Sequence, residues 1–239
     1  MENNFSMTPQ SAFATTTVAG AERVTAFLRK VYGWMFVGLG ITASVAFGVA
    51  ASPGILKAIV SNPILFFGLF VAELGLVVYL SARVNRMAPG TAAGLYVLYS
   101  ALNGATLSFI LVAFTGVSIA TTFVVTAGMF GALALFGSTT KRSLAGVGQF
   151  VFMGLIGVIL ASIVGFFWHS DALQFAISVV GVIVFTGLTA WDAQRLKQMA
   201  AVTPEGQVGS YAVVGALALY LDFINLFLFL LRFLGGRRN

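Results

Sequence analysis

Five ionisable side chains lie within or at the ends of long apolar stretches of this 239-residue chain: Glu73, Arg83, Asp192, Asp222 and Arg232. A charge at the bilayer centre costs about 3 kcal/mol on insertion scales, so such residues carry a functional expectation and call for a partner. Asp222 is the sharpest case, set in the middle of "LYLDFINLFLFLLR" at 219–232. Two acids in a poorly hydrated site share a proton and titrate as a coupled pair, which makes them a proton sensor. When both are ionised, Asp192 and Asp222 are hard oxygen ligands for a metal, suited to Ca²⁺ more than to soft ions.

Spacing suggests how the five group. Glu73 precedes Arg83 by ten residues and Asp222 precedes Arg232 by ten, roughly 15 Å along a helix axis in each case. If the two helices are antiparallel with Arg83 level with Asp222, then Glu73 falls level with Arg232. The expectation is two polar layers: Arg83 with Asp192 and Asp222 as pH sensor and ion gate, and Glu73 with Arg232 as a latch. A matched ion pair can serve as a latch without titrating, whereas an excess acid is a poor device for stability alone. Asp192 also reads as a solvated helix-end residue beside Arg195 and Lys197. Asn103 and Ser108, in "YSALNGATLSF", are candidates to line a water path or to bond to neighbouring helices. Asn225, one turn beyond Asp222, is a candidate to orient it. His169, beside Asp171, reads as an interfacial residue rather than a ligand.

These groups need helices to hold them. The chain is 59% hydrophobic and 8% charged, with a mean hydropathy of +0.99, the composition of an integral membrane protein. It has no cysteine and one histidine, which excludes disulfides, thiolate-ligated metals and multi-histidine sites. Seven apolar stretches approach the roughly 20 residues a spanning helix needs: 31–51, 62–82, 91–114, 117–138, 146–168, 172–192 and 209–234. The runs are continuous and too long for barrel strands, so an all-α bundle is expected. Residues 1–28 read as a mobile, exposed tail and 29–239 as the transmembrane domain. The tail is not a cleavable signal peptide, because a long span and further spans follow it. Arg23, Arg29, Lys30, Arg83, Arg86, Lys141, Arg142, Arg195 and Lys197 fall on one side, against Lys57, Arg232, Arg237 and Arg238 on the other. That bias favours a cytoplasmic N-terminus. Trp34, Trp168 and Trp191 sit near span ends as belt residues.

The stretches "TAWDAQRLK" at 189–197, "ALALYLDFINLFLFLLRFLG" at 216–235 and "YSALNGATLSFI" at 99–110, with the seven-span layout, resemble the Bax inhibitor family and look most like its bacterial inner-membrane branch. The resemblance covers the chain from about residue 20. It implies a bundle with the last helix central, acting as a pH-sensitive calcium leak channel with Ca²⁺ as the transported ion and no cofactor. The family's aspartate pair falls on Asp192 and Asp222, its partnering arginine on Arg83, and its acid–arginine latch on Glu73 and Arg232. Trp191 stands where the family usually has tyrosine. A second implied role is that of a regulatory partner of a membrane-bound ATP-dependent protease, engaged through the N-terminal tail. An intramembrane aspartyl protease would carry Gly-x-Gly-Asp where this chain has "LYLD", and no Ser–His dyad suggests itself, so no catalytic residue is assigned. No "GxxxxGK[ST]" stretch is present, in keeping with passive passage.

Overall fold

The computed structural model describes residues 9–168 and 170–236, with side chains from residue 20; His169 and the first eight residues of the expected tail lie outside the described residues. Nine α-helices follow one another among the described residues: α1 Pro9–Ala50, α2 Pro53–Val60, α3 Pro63–Arg83, α4 Pro89–Leu107, α5 Ile110–Ala113, α6 Gly116–Thr139, α7 Ala145–Phe167, α8 Asp171–Val202 and α9 Val208–Leu234. No strand occurs among the described residues. Proline opens α2, α3 and α4, where its missing N–H is an orphan in any case. Asn62, Thr115 and Ser170 cap α3, α6 and α8 by accepting from the backbone N–H three residues on, as the free donors of a first turn require.

Seven helical segments are long and apolar enough to cross a membrane, and they coincide with the seven apolar stretches. Two run further than hydropathy suggests. α8 continues to Val202 although 194–198 is polar, because Ala193, Leu196 and Ala200 keep one face buried at helical spacing. α1 is helical from Pro9, and Phe27, Val31 and Met35 form a buried row on it. The third span is broken: α4 stops at Leu107, a turn at Ser108 and Phe109 intervenes, and the short α5 completes it. Ser108 is buried there and its hydroxyl donates to the Ala105 carbonyl at 2.7 Å. Irregular backbone at membrane depth is tolerated where protein covers it.

Burial sorts the helices. In α9, 61% of the most apolar window is buried inside the protein, against 11% in α3; α9 packs on α1, α4, α6 and α8, whereas α3 leans mainly on α4. Phe36, Ile64, Val117, Phe150 and Phe167 point outward, the side lipid would cover. Gly104 and Gly137 permit two of the closest crossings. A Cβ on Gly137 would lie 2.0 Å from the Ala190 carbonyl oxygen, and one on Gly104 would lie 2.6 Å from that of Thr42.

Successive spans end on alternate faces, and hydrogen bonds tie each face together. On the basic face Lys197 donates to the Ser138 carbonyl at 2.8 Å, Arg23 to the Thr203 carbonyl, and Tyr211 to Asn85. On the opposite face Thr115 N–H reaches the Gly236 carbonyl at 3.2 Å, and Arg232 donates to Gln174 at 3.2 Å.

Candidate proton-responsive site

Asp192 sits two-thirds of the way along α8, and the residues around it anchor that segment. Gln194 accepts from Leu144 N–H at 2.7 Å and donates to the Arg142 carbonyl at 2.8 Å, which fixes the α6–α7 connection against α8. Trp191 lies over Gly148, where a Cβ would be 2.3 Å from its ring. Arg195, one turn after Asp192, stacks over the Trp191 ring at 5.5 Å and approaches the Asp192 carboxylate at 3.9 Å. Trp191 therefore serves as the platform that holds the cation beside the acid.

Asp222 faces Asp192 from α9. It is 4% exposed, and the two carboxyls are close enough to feel each other's charge. Oδ2 of Asp222 is buried with no hydrogen-bond partner among the described residues. Asp192 instead lines a cleft of about 380 Å³ with Ser81, Asn85, Arg195 and Tyr211, between α3, α8 and α9. The pair thus has one member that meets the cleft and one sealed behind it. Two neighbouring buried carboxyls repel when both are ionised and can hydrogen-bond when one carries a proton, so the arrangement suits a shared proton. Among the described residues no cluster of three or more acidic or histidine side chains is assembled.

The remaining expected partners are placed differently. Arg83 is exposed on the basic face and lies over the Tyr79 ring at 5.9 Å; it is not brought to the aspartates. Glu73 does not pair with Arg232: it accepts from Asn103 Nδ2 at 3.0 Å and from the Thr106 hydroxyl, while Arg232 donates to Gln174. The cause is register. Asn85, just past α3, meets Tyr211 and Gln207 of the α9 region, so counting outward from that contact puts Arg83 near Val213, short of Asp222 by roughly 14 Å, and Glu73 near Phe223. Glu73 is thus level with Asp222 and roughly 14 Å from the level of Arg232.

Asn103 bridges neighbouring helices, one of the two roles its position suggested. Its carbonyl accepts from Tyr220 OH at 2.9 Å while its amide donates to Glu73, and Tyr220 OH also lies 2.6 Å from the Thr42 hydroxyl. Thr42, Glu73, Asn103, Thr106 and Tyr220 therefore join α1, α3, α4 and α9 in one buried network. Successive residues of a helix are turned by about 100°, so Tyr220 and Asp222 point to opposite sides of α9, one to this network and one to Asp192. Ser108 donates from its turn to the Ala105 carbonyl and Asn225 to the Leu221 carbonyl at 2.8 Å, so Asn225 makes no bond to Asp222. Tyr220, Thr106 and Thr42 were not singled out by the sequence, because a hydroxyl in an apolar span carries no charge to demand a partner.

Comparison with known proteins decides the family. The model of the family described as "Inhibitor of apoptosis-promoting Bax1" matches residues 24–239. The chain belongs to the Bax inhibitor family. Within that family it is 50% identical over 215 residues to the inner membrane protein YbhL of Escherichia coli strain K12, spanning 89% of this chain and 92% of that protein. An uncharacterized protein of Borreliella burgdorferi is 45% identical over 215 residues, covering 89% and 93% of the two chains. The uncharacterized protein RP147 of Rickettsia prowazekii is 41% identical over 222 residues, covering 89% and 90%. Membership thus extends over both aspartate segments and all seven spans.

Proposed function

We propose that this family member is a pH-sensitive leak path for Ca²⁺ in the bacterial inner membrane, gated by the Asp192–Asp222 pair, with its N-terminus in the cytoplasm. The observation that carries the reading is the paired geometry: a sealed carboxyl on the most buried helix set against a cleft-facing carboxyl on its neighbour. With one proton on the pair, a carboxyl–carboxylate hydrogen bond ties α9 to α8, and the remaining negative charge faces Arg195. Adding a second proton as pH falls replaces that bond with a weaker neutral one and removes the charge opposite Arg195. Both ties loosen at once, so the closed state loses ground and leak rises as pH falls. Calcium passes down its gradient, and the pair acts on its passage as a gate rather than as a resident metal site. The inner-membrane location is supported by the likeness to YbhL, and the sidedness by the nine basic residues of one face.

Flux of Ca²⁺ into liposomes carrying the purified protein, measured between about pH 6 and 8, tests this. Wild type should leak more at the acid end, and Asp192→Asn and Asp222→Asn should each flatten the dependence. Folded protein with a flux equal to empty liposomes at every pH contradicts the channel reading.

A further inference from the structure

Two cavities outside the aspartate site are linked through one hydrogen bond, from Lys197 to Ser138. The first is an apolar groove of about 370 Å³ between α1 and α6, with Tyr32, Leu39, Phe130, Gly131 and Leu135 on its walls and Phe223 of α9 in its floor. It opens toward the surface that lipid covers. Along α6 its lining runs from Phe123 to Ser138, roughly 22 Å, whereas one leaflet of the hydrocarbon core is about 15 Å deep. The second is a cavity of about 400 Å³ on the basic face, lined by Thr140, Lys141, Arg142, Lys197 and Gln198, with Val24 of α1 at its edge. Lys197 joins them, since it lines the basic cavity and donates to the carbonyl of Ser138, which ends the groove. Among the described residues no carboxylate lines either cavity.

An apolar groove longer than one leaflet is deep, with three cations beside its Ser138 end, has the outline of a lipid. We infer that it is a binding site for an anionic phospholipid: one acyl chain occupies the groove, and the phosphate of the headgroup meets Lys141, Arg142 and Lys197. Charge complementarity chooses the headgroup, because cations in a surface pocket favour anionic over zwitterionic lipids. Groove depth chooses the tail, since a surface-held anion alone would not use the wall of α6. The bound chain would rest on Phe223, the residue after Asp222, so occupancy bears on the helix that carries the sealed aspartate.

The test is native mass spectrometry of the purified full-length protein, titrated in detergent with phosphatidylglycerol or phosphatidylcholine of identical chains. Retention of phosphatidylglycerol should exceed that of phosphatidylcholine at least tenfold. The triple variant Lys141→Ala, Arg142→Ala, Lys197→Ala should lower it to the phosphatidylcholine level. Gly131→Leu adds its side chain in open space on the groove wall and should reduce retention of both lipids about tenfold. Gly128→Leu, equally open but outside the groove, should leave retention unchanged and controls for folding. Equal retention of the two lipids, an unaffected Gly131→Leu variant, or displacement of phosphatidylglycerol by inorganic phosphate alone would each overturn the site.

Discussion

Arg195 and Arg83 compete for one role, and their surroundings separate them. Arg195 is braced on Trp191 and faces Asp192; Arg83 is out at the basic face over Tyr79. Removing Arg195 takes away the cation that favours a negative Asp192, so a second proton is added more readily. In Arg195→Gln the acid-activated rise in flux should therefore begin at a higher pH than in wild type, while Arg83→Gln should leave the flux–pH curve in place; the reverse ranking would restore Arg83 as the partner. Tyr220→Phe removes one hydroxyl from the network that joins four helices. Equilibrium unfolding in detergent or bicelles should show a loss of about 1 kcal/mol, the size typical of a hydrogen bond inside a membrane protein, with the pH dependence of flux retained. The aspartates were legible in the sequence because each is the lone acid of an apolar helix face. Their cation was not, because two equal ten-residue spacings suggested a register that the Asn85–Tyr211 contact does not support.

At the level of helices, hydropathy located every span but not the irregularities that shape the site. The break at Ser108 is invisible to a window average, since the residues around it stay apolar or small. The extension of α8 past Asp192 is carried by three small or apolar residues on one face, and it places Arg195 and Gln194 on rigid helix rather than in a loop. Glycine-mediated approach makes a sharp prediction here. Gly137→Val would drive a Cβ into the Ala190 carbonyl of α8, with an overpacking cost of about 1–3 kcal/mol, whereas Gly128→Val meets open space on the same helix. Thermal unfolding of the two variants should show a clear drop for the first alone. Equal behaviour would mean that the α6–α8 contact is looser than described.

Taken as a molecule, the protein is a seven-span bundle whose most buried helix carries two polar groups on opposite sides, Asp222 toward α8 and Tyr220 toward α1 and α4. Such a helix can change one attachment while the other holds, which is what a gate needs. Its sidedness can be read cleanly because the chain has no cysteine. Lys57→Cys should be labelled by an impermeant maleimide added to intact cells, while Arg86→Cys and Lys141→Cys should label only after the membrane is opened. The opposite pattern would invert the orientation. The flux–pH profile of wild type beside Asp222→Asn, in the same liposomes, bears most directly on the central claim. The account predicts a leak that rises as pH falls in wild type and a flat profile in the variant; a variant with the wild-type slope would remove the aspartate pair from gating.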